Sequence, residues 1–239
     1  MKNSMLLGII CLLAFNLPVS FTEKNKNNRL TKAEKKAGWK LLFDGKTMNG
    51  WRTYQNKAGN SWEVNNGELH CQGSVTDKSD KRTDLITTGE YENFELSIEW
   101  KIAKAGNSGI LYHVTEQYDV SYLSGPEYQL IDDEGFPEKL EEWQKTAADY
   151  AMHTTSSRPV KPVGEYNQTT IIFNKGHVEH WLNGVKVIAF EAWTDDWNKR
   201  KLAGKWKDAP GYGMSKKGTI CLQDHGSEIW FRNIKIKPL

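Results

Sequence analysis

The stretch QTTIIFNKGHVEHWLNGVKVIAFE, residues 168–191, gives a clear indication of the fold class. Its pattern is that of β-strands, with short runs in which apolar and polar residues alternate. Lys175-Gly176 and Asn183-Gly184 divide it into three parts, and both pairs are typical of tight β-turns. We therefore predict three consecutive antiparallel strands, a β-meander, in this part of the chain.

The β pattern continues along the chain on both sides of this meander. Further candidate strands cover residues 61–66, 68–72, 84–89, 94–102, 108–114, 127–132, 218–225 and 229–237. Thr31, with Glu34 three residues later, has the pattern of a capping box and predicts one short helix that ends near Gly38. Residues 138–152 are helix-compatible or irregular, and the charged, Trp- and Gly-rich residues 194–217 predict a long surface excursion.

About a dozen short strands with few helices predict an all-β protein. The expected architecture is a two-sheet antiparallel jelly-roll sandwich with a short N-terminal helix. In such a fold one curved sheet offers a concave face, and polar residues at alternate strand positions would line that face.

Charge balance and aromatic content limit the kinds of function. Lys and Arg number 32 against 30 Asp and Glu, so the 239-residue chain has no basic field of the kind that binds nucleic acid. The ten tryptophans have two interpretations, core filling and stacking against sugar rings. We expect core filling for most of them.

The N-terminus has the pattern of a secretory signal. Lys2 precedes an apolar run from Met5 to Phe15, which is too short to span a membrane. We predict a signal peptide over residues 1–20, a polar leader with the short helix over 21–37, and one domain over 38–239. The mature protein is expected to be exported, to the periplasm or the extracellular space, without a membrane span.

Two cysteines remain after the predicted cleavage, Cys71 and Cys221. Two are too few for a disulfide framework, and the sequence has no CxxC metal motif. We predict two separate buried thiols.

The segment SGPEYQLIDDEG, residues 124–135, holds the most informative candidate site residues. Glu127 and Gln129 alternate with Tyr128 and Leu130, so a strand here would bury one face and place a carboxylate and an amide on the other. That polar face is either solvated or the floor of a site.

Several motifs, taken together and in order, resemble one known family. They are LFDGKTMNGW (42–51), YENFELSIEWKI (91–102), GNSGILYHV (106–114), GPEYQLID (125–132) and GTICLQDHGSEIWFRNIKIKPL (218–239). The resemblance is to the 3-keto-disaccharide hydrolase family and covers residues 38–239. It implies a concanavalin A-like (laminin G-like) jelly roll, secretion, and cleavage of glycosides already oxidised to a ketone at sugar C3. The oxidation itself would need a separate sugar oxidoreductase.

The chemistry that this resemblance implies needs no nucleophile at C1. A 3-ketone acidifies the C2–H bond, and β-elimination of the C1 oxygen substituent followed by addition of water gives net hydrolysis. The site then needs a base, donors for the enolate oxygen and a proton for the leaving group. We predict Glu127 as the base and His225 as a proton-transfer group. Asp132 is either a third catalytic or positioning group or the cap of a turn.

Other polar residues are candidate substrate contacts: Asn107, His113, Gln129, Tyr150 and Gln223. Lys145 and His153 are weaker candidates. Arg232, His180 and Asn183 are expected to be structural, as an ion-paired or stacked side chain, a strand residue and a turn residue.

A cofactor is not decided by the sequence. Glu127, Asp132, His113 and His225 offer oxygen and nitrogen ligands that would suit Ca²⁺, Mn²⁺ or Zn²⁺, but no local ligand spacing supports a metal. No GxGxxG follows a predicted strand and no Walker loop is present, so a nucleotide cofactor is not expected.

Two other functions stay open at this point. The pattern Glu127-x-Gln129-x-x-Asp132 resembles the Glu-x-Asp-x-x-Glu strand of laminarinase-type glucanases, which would make the protein an ordinary retaining glycoside hydrolase that uses Glu127 and Asp132. Such enzymes need two carboxyl groups about 5 Å apart, and Gln129 stands where a glucanase has its middle acid. A non-catalytic carbohydrate-binding module is the other alternative, since its fold and aromatic content would be the same.

Overall fold

The computed structural model describes residues 27–73 and 81–239. The predicted signal peptide and residues 21–26 of the leader lie outside the described residues. Within the described ranges, no helix combines the length and apolar character that crossing a bilayer requires.

Strands dominate the described part of the chain. In its first half these are β1 (Lys40–Leu41), β2 (Trp51–Thr53), β3 (Trp62–Asn65), β4 (Glu68–Gln72), β5 (Leu85–Thr87), β6 (Phe94–Ile102), β7 (Asn107–Val114) and β8 (Glu127–Ile131). In its second half they are β9 (Asn167–Asn174), β10 (His177–Leu182), β11 (Val185–Glu191), β12 (Thr219–Leu222) and β13 (Glu228–Pro238). The two α-helices are α1 (Lys32–Lys36) and α2 (Asp195–Ala203).

The strands form two antiparallel sheets. The larger has the order β11-β10-β9-β6-β13-β4-β3, with β1 paired beside β13, and the smaller has the order β2-β5-β12-β7-β8. The predicted meander is confirmed, because His180 of β10 pairs with Ile171 on one side and Ile188 on the other. The prediction of a two-sheet antiparallel sandwich is confirmed with it.

The main core lies between the two sheets. Leu96, Ile98 and Trp100 of β6 and Tyr128 and Leu130 of β8 are all fully buried in one cluster. These residues occupy alternate positions of their strands, as the period of a strand requires when one face packs on a second sheet.

The tryptophans fill cores, as expected for most of them. Trp51, Trp100, Trp197 and Trp206 are buried, and the other six are half-buried, so none of the ten is exposed. Indole rings bury large areas, and the N–H of Trp100 finds a partner by donating to Thr169 Oγ1 at 2.9 Å.

The short N-terminal helix begins as predicted. The backbone N–H of Glu34 donates to Thr31 Oγ1 at 3.1 Å, and the Thr31 N–H donates to the Glu34 carboxylate at 2.7 Å. This reciprocal pair is the predicted capping box. Lys235 of β13 also pairs with the Glu34 carboxylate, which attaches the helix to the larger sheet.

The segment 194–217 is more than a surface excursion, and that prediction is wrong in its packing. It forms α2 and a following 3-10 turn, and Trp197, Trp206 and Tyr212 belong to a buried cluster separate from the main core. The rings of Trp206 and Tyr212 stack at 4.1 Å with an interplanar angle of 10°. Lys201 points inward and donates to the carbonyls of Pro210 and Tyr212. The prediction of solvent exposure came from the charged residues that surround this aromatic stack.

Residues predicted to be structural have structural contacts. Cys71 and Cys221 are buried and unpaired. The Arg232 guanidinium binds Glu99 at 2.8 Å and lies 3.5 Å from the ring centre of Tyr166. His180 is fully buried, with Nδ1 3.0 Å from the carbonyl of Ala147.

Truncating a side chain in the core between the sheets should leave a cavity and lower the free energy of unfolding. Phe231 of β13 is fully buried, so Phe231→Ala should lower the free energy of unfolding by about 3–5 kcal/mol. Leu202→Ala is the control, because Leu202 is 66% exposed in α2 and should change it by less than about 0.5 kcal/mol. Urea denaturation followed by tryptophan fluorescence measures both. Similar values for the two variants would contradict this packing.

Candidate functional site

Both faces of β8 are buried, whereas the sequence alternation predicts one buried and one polar face. All five residues from Glu127 to Ile131 are buried. The cause is a segment that docks along the edge of β8. The N–H of Tyr150 donates to the Glu127 carbonyl at 3.0 Å, the N–H of Gln129 to Ala148 at 3.1 Å, and the N–H of Ala147 to the Gln129 carbonyl at 2.9 Å. This segment therefore closes the edge of β8 beside Glu127 and Gln129.

A pocket of about 230 Å³ opens on the outer face of the smaller sheet. It contains six of the eight predicted site residues: Asn107, Glu127, Gln129, Tyr150, Gln223 and His225. Strands β7 and β8 supply the first three, the docked segment supplies Tyr150, and the chain after β12 supplies the last two. Its volume is below the 300–1,000 Å³ of pockets for drug-sized ligands, so it suits one sugar ring.

Glu127 occupies the space that a missing side chain leaves open. Gly109 lies beside it on β7, and a Cβ on Gly109 would come within 2.4 Å of Glu127 Oε1. Glu127 is only 5% exposed, and among the described residues no side chain or backbone group hydrogen-bonds its carboxylate. Buried carboxylates without such a partner are rare and costly outside functional sites.

The electrostatic environment favours the neutral acid form of Glu127. Burial raises the pKa of its carboxyl group to about 8, Lys205 acts in the opposite direction, and the negative charges of Asp84 and Asp149 add to the rise. A carboxylate with a pKa near neutrality is suited to accept a proton at physiological pH.

Lys205 is a site residue that sequence reasoning missed. Its ammonium lies 4.4 Å from the ring centre of Tyr150 and 4.9 Å from that of Trp206, and all three line the pocket. Burial lowers the pKa of Lys205, and the charge of Glu127 partly restores it. Lys205 follows α2 within 194–217. In the sequence, the one feature that could have pointed to Lys205 is its position between Gly204 and Trp206.

Three amide side chains leave polar groups for a ligand. The Gln129 oxygen accepts from the N–H of Leu130 at 2.9 Å, which leaves its NH₂ group for the pocket. Asn107 Oδ1 and Gln223 Oε1 are buried and have no hydrogen-bond partner. Buried polar atoms are nearly always paired, so these two oxygens are available to accept hydrogen bonds from a molecule in the pocket.

The structure does not bring Asp132 into this pocket. Its carboxylate accepts from the backbone N–H groups of Ala105 at 2.8 Å and Gly135 at 2.9 Å, so it caps a turn. Five residues of extended strand separate it from Glu127 by roughly 16 Å. A pair of carboxyl groups about 5 Å apart is therefore absent from these two positions, and the retaining-hydrolase alternative loses its second acid.

His113 also lies elsewhere, although it has the same parity along β7 as Asn107. Its φ is +53°, and the pairing of β7 with β12 shifts register between Leu111 and Val114. This bulge turns the ring into the core, 4.3 Å from Phe173, with Nε2 2.8 Å from the carbonyl of Glu92. The expected substrate contact is wrong for this reason.

The weaker candidates, Lys145 and His153, do not line the pocket, and the four suggested metal ligands do not come together. Lys145 pairs with Glu142, and His153 Nδ1 lies 2.9 Å from the buried Asp149 carboxylate. Within residues 27–73 and 81–239, no group of three His, Cys, Asp or Glu side chains is arranged to hold a metal ion. The four suggested ligands do not converge, because Asp132 and His113 lie outside the pocket.

Comparison with known proteins identifies the family of the chain. The sequence profile of the 3-keto-alpha-glucoside-1,2-lyase-like domain matches residues 38–237. The chain belongs to this family. It is 34% identical over 228 residues to a 3-keto-disaccharide hydrolase from Bacteroides thetaiotaomicron, covering 84% of this chain and 79% of the relative. The prediction of a hydrolytic enzyme is confirmed at this level.

Solved structures of related proteins give the same fold. A crystal structure from Parabacteroides distasonis, of a protein proposed to be a glycosyl hydrolase, is 43% identical with a TM-score of 0.83 and covers 90% of this chain and 100% of its own. A second protein from that organism, with the same proposed activity, is 30% identical with a TM-score of 0.64 and covers 84% of this chain and 99% of its own.

The pKa of Glu127 predicts how stability depends on pH. Between pH 4.5 and about 8 the folded protein binds the Glu127 proton more tightly than the unfolded chain, so this group lowers stability as pH rises. In Glu127→Gln that loss is absent, and the melting temperature relative to wild type should rise from pH 5 to pH 8 and then level off. Glu138→Gln, at an exposed position, should track wild type at every pH. A flat difference for Glu127→Gln would contradict the buried carboxyl group.

Proposed function

We propose that this chain cleaves the glycosidic bond of 3-keto-glycosides by elimination, with water added back to give net hydrolysis. One observation carries the proposal: a buried, unpartnered carboxylate with a raised pKa faces a small polar pocket. Among the described residues that line the pocket, Glu127 provides the one carboxylate. One base is what elimination needs, whereas a retaining hydrolase needs two carboxyl groups.

Glu127 is the base in this mechanism. Its carboxylate removes the proton from C2, and the electrons of the C–H bond move into the C3 carbonyl to form an enolate. The enolate then re-forms the ketone and expels the C1 oxygen substituent, leaving a C1–C2 double bond. Water then adds its oxygen to C1 and gives one proton to the group that protonated the leaving oxygen, while Glu127 returns its proton to C2. All atoms balance without an external oxidant or reductant.

Cationic and hydrogen-bonding groups around Glu127 are suited to stabilise the negative charge that develops on the enolate oxygen. The Lys205 ammonium, the free NH₂ of Gln129 and the hydroxyl of Tyr150 are donors for the enolate oxygen. His225 at the exposed rim can give a proton to the departing oxygen. The unpaired amide oxygens of Asn107 and Gln223 accept hydrogen bonds from the remaining hydroxyl groups.

The cellular setting follows from the chemistry and the N-terminal sequence. The substrate must first gain its ketone, so a sugar oxidoreductase acts before this enzyme. Lys2 and the apolar run to Phe15 support export to the periplasm or the extracellular space. The activity named for the Bacteroides thetaiotaomicron relative supports the substrate class.

Product analysis tests the proposal. We expect turnover of a 3-keto-disaccharide and none of its unoxidised parent, because only the ketone acidifies C2–H. Glu127→Gln should lose on the order of 10²–10⁴-fold in kcat, since it removes the general base without changing side-chain size. Equal turnover of both sugars would overturn the mechanism. Tight binding of plain sugar without any turnover would instead favour a carbohydrate-binding module.

The pH profile provides a second test. With Glu127 as the base, kcat/KM should rise with pH through a pKa near 8. Lys205 lowers the pKa of Glu127, so Lys205→Gln should move this rise to higher pH. Lys207→Gln is the matched control, because Lys207 is exposed in the same turn and does not line the pocket. An unchanged profile in Lys205→Gln would show that another group controls the rate.

A further inference from the structure

A second pocket of about 260 Å³ adjoins the first. The two share Tyr122, Gln223 and His225, which therefore form a common wall. Glu127 and Lys205 line only the first pocket, and Arg82 and Asp119 line only the second. A molecule with two linked rings can fill both pockets with its linkage lying along the common wall.

We infer that the second pocket binds the leaving sugar of a disaccharide substrate. The inference rests on the proposed function and adds the position of each ring. The oxidised ring lies in the first pocket, because that pocket holds the base. The glycosidic oxygen then lies at the common wall beside His225, which borders both rings and can protonate that oxygen as the C1–O bond breaks.

The chemistry of the second pocket fits a hydroxyl-rich ring. Arg82 is exposed, and neither its guanidinium nor the carboxylate of exposed Asp119 makes a hydrogen bond or ion pair with any residue in the described ranges. The pair offers donors and acceptors together, as the hydroxyl groups of a sugar require. Asp84 and Asp224 also line it, and such acids disfavour a phosphate.

Two features give the common wall a fixed shape and an apolar surface. The half-buried Asp84 carboxylate accepts from the backbone N–H of Asp224 at 2.9 Å and from the hydroxyl of Ser121, which holds the chain between Gln223 and His225. Tyr122, 38% exposed, offers its ring for contact with the C–H face of a sugar. Asp84 is thus a positioning residue for the wall.

The test compares two oxidised substrates, 3-keto-trehalose and methyl 3-keto-α-glucoside, which differ only in the leaving group. Arg82→Ala removes the guanidinium donor, and Asp119→Trp fills the pocket from an exposed position. For 3-keto-trehalose we expect kcat/KM to fall about 10-fold in Arg82→Ala, the size of a lost hydrogen bond to a charged group, and further in Asp119→Trp. For the methyl glycoside both variants should stay within about twofold of wild type.

Lys217→Ala is the control, since Lys217 is an exposed cation that lines neither pocket. Equal losses on both substrates, or no loss on either, would overturn the subsite. If wild type cleaves neither keto sugar, the proposed function fails. Binding of unoxidised trehalose, measured by titration, then tests the second pocket separately. Weaker trehalose binding in Arg82→Ala than in Lys217→Ala would support it, and equal binding would overturn it.

Discussion

The backbone hydrogen bonds between β8 and residues 147–150 are the constraint on which the site depends. They place this segment beside the edge strand β8, and its Tyr150 lines the pocket with Glu127 and Gln129. This segment is itself fixed, because the indole N–H of Trp206 donates to the Tyr150 carbonyl at 3.1 Å. Trp206 stacks on Tyr212, and Tyr212 stacks in turn on Trp197 of α2. The environment of Glu127 is therefore a product of segments far apart in sequence.

The cost of burying Glu127 is only partly offset. A carboxyl group in low-dielectric surroundings favours its neutral form unless charges or donors compensate. Here Lys205 provides attraction, while Asp84 and Asp149 add repulsion. The balance leaves the pKa near physiological pH, where the group can both take and return a proton. Full compensation by a hydrogen-bonded partner would have stabilised the fold and lowered the pKa of Glu127.

Local patterns in the sequence predicted the strands well. The meander, the capping box at Thr31 and most strand bounds follow from turn residues and from the period of two. The same period placed Glu127 and Gln129 on one face, and that was sufficient to find the floor of the pocket. Glycine at position 109 carried a further signal, because a strand position without a side chain leaves room for the neighbouring carboxylate.

Non-local packing could not be predicted in this way. The alternation along β7 places His113 with Asn107, but a bulge reverses it, and nothing in the local sequence specifies that bulge. Asp132 follows a site strand, yet two backbone N–H groups across a turn already occupy its carboxylate. Lys205 lies in a segment whose composition indicates solvent exposure, and only the tertiary packing of Trp206 brings it to Glu127.

The docked segment, residues 147–150, also blocks the open edge of the smaller sheet. β8 is the last strand of the smaller sheet, so its outer N–H and C=O groups would otherwise be open to pairing with another chain. Residues 147–150 occupy those groups. The segment that borders Glu127 therefore also protects the protein against strand-to-strand aggregation, and substitutions that detach it should lower solubility and also disturb the pocket.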